Sequence, residues 1–234
     1  MATSGAAGRQ QQSPLNEADV FAAEKQLAAR AAAELIEDGM RVGLGTGSTV
    51  AHLLPAIAER GLRGLLCVAT SPATEQAARA LGMSLQSLDE VGELDIAIDG
   101  ADQVDPDGWL VKGGGGAHTR EKIVAAAAAR FIVIVSAEKV VKELRVPVPL
   151  EILSFGCERT LQSLGSAHLR EAPISPDGGL IADYLGPIDD PRSLAARLAG
   201  TPGVVEHGLF EPNLVSLVLI GEQGSVRVRQ GSKT

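Results

Sequence analysis

The apolar positions of this chain fall into two rhythms that alternate along most of its length. Val20, Leu27, Ala28, Ala31 and Leu35 recur at helical spacing, with Asn16 placed to cap and Gly39 to stop, which predicts a first helix of about six turns. Short apolar runs of buried-strand length follow at residues 41–45, 65–69, 83–88, 95–98 and 131–135. Helical stretches separate them. One runs from the small-residue loop 46–49 to about Arg60, a second from Pro72 to Gly82 with Ser71 as its cap, and a third from a Thr119 cap to Arg130. Strands alternating with helices at this spacing predict a doubly wound, mostly parallel sheet. The β-branched run 131–135 would be a central strand covered on both faces.

After Lys139 the texture changes. Val146-Pro147-Val148-Pro149 cannot run through a sheet centre and reads as a boundary or crossover. Beyond it come a helix at 157–164, strands at 167–170 and 180–185 around the turn Ser175-Pro176-Asp177-Gly178, a helix at 190–198 and a strand at 204–210. That order suits a small α+β sandwich with its helices on one face. The last run, 214–220, is apolar enough for a buried sheet. Residues 1–14 are rich in Ala, Ser, Gly and Gln, lack periodicity and lack the apolar stretch of a signal peptide, so they read as a disordered tail. The expected organisation is therefore a tail at 1–14, a catalytic domain at 15–146 plus 212–230, and a small domain at 147–211.

Composition narrows the function. With aromatics at 3 %, the core must be packed by Ala, Leu, Val and Ile. A net charge of −8 argues against nucleic acid or an anionic membrane as partner, because both call for a broad basic field. An anionic small molecule needs only a local cationic pocket. Cys67 and Cys157 make no disulfide framework and have no metal-ligand spacing, which points to a reducing compartment. No apolar run reaches the roughly 18 residues of a membrane span. A soluble, cytoplasmic protein is expected.

The chemistry gathers at the predicted strand ends, where open α/β sheets form their crevice. Gly45-Thr46-Gly47-Ser48-Thr49 joins a strand to a helix and offers backbone N–H groups and hydroxyls to a phosphate, although it lacks both the Walker ending and a full GxGxxG. Asp99-Gly100-Ala101-Asp102 puts two carboxylates in one tight turn, suited to sugar hydroxyls or proton relay; a solvated turn or a metal site are the alternatives. Asp105 and Asp107 read as surface residues of a Pro/Gly turn. Lys112 precedes Gly113-Gly114-Gly115-Gly116, which permits close backbone approach to a ligand. Glu121 lies in the first turn of the following helix, either as a base or as a plain complement to the helix dipole. Lys139 and Lys25 are candidates for positive charge. His118, alone in its glycine-rich loop, reads as packing or facing water.

Taken together, GLGTGST (43–49), DGAD (99–102), KGGGGAHTREKI (112–123), SAEK (136–139) and PGVVEHGLF (202–210) make the chain resemble the ribose-5-phosphate isomerase A family. The similarity extends from about Ala23 to Val228. The resemblance implies a Rossmann-like sheet domain with a smaller inserted α+β (ferredoxin-like) domain. It implies interconversion of D-ribose 5-phosphate and D-ribulose 5-phosphate in the non-oxidative pentose phosphate pathway, with no cofactor and no metal. It also implies a homodimer or homotetramer. By the same resemblance Glu121 is the base, with Asp99 and Lys112 also catalytic. Substrate contacts would come from Thr46, Gly47, Ser48, Thr49, Asp99, Gly100, Ala101, Asp102, Lys112, Gly113, Gly114, Gly115 and Lys139, with Lys25 more peripheral. Thr70-Ser71 departs from the serine-richer family pattern and is assigned no role. A sugar-phosphate sensor, another sugar-phosphate isomerase and an acyl-CoA transferase are the rival readings.

Overall fold

A computed structural model describes residues 17–233. The expected tail at 1–14 and the Asn16 cap lie outside the described residues. The first helix, α1 (Glu17–Ala33), buries Ala28, Ala29, Ala32 and Ala33 together with Glu24, and the small alanines let it lie close against its neighbours. It ends well before Gly39. The carbonyls of Ala33 and Ile36 accept from the Arg60 guanidinium, so a side chain 24 residues or more away satisfies the helix end that the sequence assigns to a glycine stop.

The chain then runs through β1 (Arg41–Leu44), α2 (Ser48–Glu59), β2 (Leu66–Ala69), α3 (Pro72–Ala80), the single turn α4 (Leu88–Val91), β3 (Leu94–Asp99), β4 (Gln103–Val104), β5 (Leu110–Val111), α5 (His118–Ala127) and β6 (Ala128–Ser136). Ser71 caps α3 as expected, accepting from the Thr74 N–H. The strand expected at 83–88 does not form. Only Leu85 bridges to Cys67, and Ser87 and Glu90 then close a reciprocal capping box that turns the chain into α4. Nor does Thr119 cap α5: the N-cap is Ala117, and the helix gives way to β6 at Ala128, well short of Arg130.

Beyond β6, strands β7 (Val148–Ile152), β8 (Ala167–Leu169) and β9 (Leu180–Tyr184) and helices α6 (Cys157–Leu164) and α7 (Pro191–Ala199) lead to β10 (Val204–His207) and β11 (Leu209–Phe210). The chain finishes with β12 (Leu217–Glu222) and β13 (Ser225–Gln230). The large sheet has the order β13-β12-β6-β3-β1-β2 and is parallel except for the β12–β13 hairpin. One core lies on its α1–α2 side around Ile36, Leu53, Ile96 and Ile134. A second lies on its α5 side around Phe131, Val133, Val124 and Phe210. The sheet is thus doubly wound, as the alternating pattern requires.

The smaller sheet has the order β10-β7-β9-β8, all antiparallel, and its β7-α6-β8-β9-α7-β10 path is the ferredoxin-like arrangement. Two expectations fail here. Val148-Pro149, expected to be unable to run through a sheet centre, opens β7, an interior strand. Proline is tolerated there because the β10 ladder stops at Leu150, so the missing N–H falls outside it. The run 204–210 is not one strand but two. It breaks at Gly208, where any side chain would meet the Lys112 carbonyl at 2.1 Å, and β11 leaves to form a third sheet of order β11-β5-β4. Asp105 is likewise not a surface residue: it is buried, and its Oδ1 accepts the Trp109 N–H at 2.9 Å to lock the β4–β5 turn.

Candidate active site

The ends of β1 and β3 in the large sheet, the end of β5 in the third sheet and the start of α5 converge at one place. β1 ends at Leu44, and Gly45 follows with no room for a side chain, since a Cβ there would lie 2.0 Å from the Asp99 carboxyl carbon. Gly47, at φ +104, is the N-cap of α2 and offers no side-chain acceptor. The first-turn amides of α2 are therefore left without a partner among the described residues, as an anion site requires. The Thr46 hydroxyl shares a hydrogen bond with the Thr70 hydroxyl at 2.7 Å. Thr70 is thus part of this loop's support, although its sequence context had given it no role.

Asp99 closes β3 and is 2 % exposed. Its Oδ1 accepts from the Thr46 N–H at 3.1 Å and the Gly100 N–H at 2.7 Å, and its Oδ2 lies 3.0 Å from Lys112 Nζ. Lys112 follows β5, is held by its own N–H donating to the Gly208 carbonyl at 2.8 Å, and is 3 % exposed. Its ammonium also lies 3.0 Å from Glu121 Oε2, donates to the Gly100 carbonyl, and stands 5.5 Å from the centre of the Phe210 ring. Glu121 is in the first turn of α5 and 6 % exposed. Asp99 Oδ2 and Glu121 Oε2 touch the ammonium as ions but receive no directed hydrogen bond from the described residues. A buried lysine between two buried carboxylates is costly to assemble and is a mark of chemistry rather than of stability.

The electrostatics follow from that packing. Burial, reinforced by the Asp99 charge and opposed by Lys112, pushes Glu121 up to about 7. Burial also raises Asp99, with Lys112 pulling the other way. Burial works against the Lys112 charge, but the two carboxylates outweigh it and hold the ammonium protonated. His118 is fully buried beneath Gly113, and burial together with the Lys122 charge pushes it down to about 4, so it is neutral.

One cleft is lined by Thr46, Gly47, Ser48, Thr49, Gly100, Ala101, Asp102, Lys112, Gly113, Gly114, Gly115, Glu121 and Lys139. Asp99 sits directly behind Lys112, and Lys25, on α1, is not among the lining residues. Asp102 Oδ2 accepts the Gly114 N–H at 2.8 Å. Two supports come from the small sheet. Arg170 donates to the Gly113 and Gly114 carbonyls, and Glu151, 2 % exposed, accepts from the Thr119 and Ser175 hydroxyls. No local pattern announces either residue, because each acts across a long stretch of chain. Among the described residues, no three His, Cys, Asp or Glu side chains converge so as to hold a metal ion.

The sequence profile of the family Ribose 5-phosphate isomerase A (phosphoriboisomerase A) matches residues 66–225. The chain belongs to the ribose 5-phosphate isomerase A family. Ribose-5-phosphate isomerase A of Caulobacter vibrioides is 43 % identical over 222 residues, spanning 88 % of this chain and 97 % of that relative. Among solved structures, ribose 5 phosphate isomerase A from Neisseria gonorrhoeae superposes with a TM-score of 0.85 at 30 % identity, over 88 % of this chain and 96 % of its own. A D-ribose-5-phosphate isomerase in complex with phospho-erythronic acid superposes with a TM-score of 0.85 at 35 % identity, over 90 % and 99 %. The family profile spans the cleft residues from Gly100 to Lys139, whereas the loop 46–49 precedes it.

Proposed function

We propose that this chain interconverts D-ribose 5-phosphate and D-ribulose 5-phosphate, with Glu121 as the base that carries hydrogen between C2 and C1. The observation that carries the reading is the buried Asp99–Lys112–Glu121 cluster, with both lysine–carboxylate contacts at 3.0 Å, beside an uncapped helix N-terminus. The phosphate is taken by the amides and hydroxyls of residues 46–49, with Lys139 as the cation of that cleft. With the sugar open, Glu121 removes the C2 proton; the electron pair becomes the C1–C2 double bond and the carbonyl π electrons move onto O1. The protonated Lys112 and the amides of the glycine loop stabilise the resulting enediolate. A proton passes from O2 to O1, with Asp99 exchanging it through the Lys112 ammonium. O2 then becomes the carbonyl as C1 takes back the hydrogen held by Glu121. Asp102 orients the sugar hydroxyls from the cleft wall. A pKa near neutrality suits a group that must both take and return a proton.

Turnover in deuterated water tests this directly. Deuterium should enter the pentose at the transferred position, and Glu121→Gln should abolish interconversion while leaving the fold intact. Near-normal turnover by Glu121→Gln would refute the assignment. The two cysteines are free and buried, which supports a reducing, cytoplasmic setting. Exposed apolar side chains such as Phe155 and Ile174 support a homodimer or homotetramer.

A further inference from the structure

The four-glycine run 113–116 has one turn bond of its own, from the Gly116 N–H to the Gly113 carbonyl at 3.0 Å, yet an enediolate cradle must be rigid before the charge develops. The structure holds it from behind. Arg170 follows β8 and pairs with Asp183 of β9 through two bonds, Nε to Oδ2 at 2.9 Å and Nη2 to Oδ1. That fork leaves Nη1 aimed at the loop, where it donates to the Gly113 carbonyl at 3.2 Å and the Gly114 carbonyl at 3.0 Å. In a trans peptide the C=O and N–H point opposite ways. The 113–114 peptide is therefore clamped between Arg170 on its carbonyl and the Asp102 carboxylate on its N–H, the latter at 2.8 Å. In the next peptide Arg170 again takes the carbonyl, which turns the Gly115 N–H the other way. Gly115 lines the cleft, and its N–H has no partner among the described residues.

We infer that Arg170, held by Asp183, is a positioning residue: it sets the peptide orientation of the glycine loop and so presents the Gly115 amide to the enediolate without touching substrate. The inference rests on the proposed role of that loop in the isomerisation. The phosphate half of the cleft is carried by β1 and α2, which Arg170 does not touch. The two halves can therefore be perturbed separately.

The test compares Arg170→Met, Arg170→Lys and Asp183→Asn with the parent, using folded full-length protein. Kinetics with ribose 5-phosphate are combined with inhibition by phospho-erythronic acid, whose carboxylate carries charge where the enediolate would, and by inorganic phosphate. Arg170→Met should lower kcat about tenfold to a hundredfold, the scale of a misplaced catalytic group, with KM moving less than about twofold on the same basis. The inhibition constant of phospho-erythronic acid should rise in parallel, and that of phosphate should stay put. Arg170→Lys, with a point charge in place of a fork, should recover only part of the loss. Asp183→Asn, which keeps the volume, should fall in the same direction and gives the reading if Arg170→Met does not fold. Parent-like kcat and analogue binding in any folded Arg170→Met or Asp183→Asn protein would overturn the inference. So would equal weakening of phospho-erythronic acid and phosphate, which marks general loosening. Either result leaves the proposed function standing, because that reading is tested at Glu121 and not at Arg170.

Discussion

Replacing Glu121 with Gln should make the protein more stable as it makes it inactive. The folded state raises this carboxyl from its ordinary 4.5 to about 7, chiefly through burial. Between those values the native state keeps a proton that the unfolded chain has released, so stability present below about pH 4.5 is lost progressively as the pH climbs to about 7. A displacement of about two and a half pH units, at about 1.4 kcal/mol each, is about 3–4 kcal/mol. Solvent screening gives little discount, because the side chain is 6 % exposed. Gln has nearly the shape of the protonated acid and keeps an oxygen beside the Lys112 ammonium, so it removes the ionised form without opening a cavity. For a chain of this size, about 3–4 kcal/mol corresponds to a rise in Tm of about 6–16 °C. Melting curves of parent and Glu121→Gln at pH 5, 6, 7 and 8 would show it: a small advantage at pH 5 that grows and levels off by pH 8. An equal Tm at pH 8, or an advantage that does not depend on pH, would refute the picture of a carboxylate held charged at the fold's expense.

Two further outcomes follow from the same cluster. The acid limb of kcat/KM should be centred near pH 7, where Glu121 ionises, rather than only near the phosphate's own value of about 6; a rate flat between pH 5.5 and 8.5 would exclude Glu121 as the titrating base. Gly45→Ala pushes a methyl to within 2.0 Å of the Asp99 carboxyl carbon, which is buried and cannot yield. It should cost about 1–3 kcal/mol in stability, as overpacking does, and lower turnover well beyond that loss, measured by denaturant unfolding alongside kcat.

The parts of this molecule that follow from local rules were legible in the sequence. Alternating runs gave the doubly wound sheet, and small residues between β1 and α2 marked the anion loop. The charged strand ends at Asp99 and Lys112 fell where such sheets put their crevice. Misreadings arose where two local rules competed or where a distant partner decided. The run 83–88 is apolar enough for a strand, but Ser87 and Glu90 complete a capping box and win. Thr119 looks like a cap, yet its hydroxyl belongs to Glu151. Arg170 and Thr70 sit in unremarkable contexts, and only the folded chain brings them to the glycine loop and to Thr46.

The break at Gly208 ties two sheets together at the lysine. Its carbonyl receives the Lys112 amide, its own N–H reaches the Pro149 carbonyl of β7, and no side chain fits there. The small sheet cannot peel away without unseating the ammonium, so on heating, activity should vanish with the first loss of order in the β7–β10 ladder, while the six-stranded sheet is still intact.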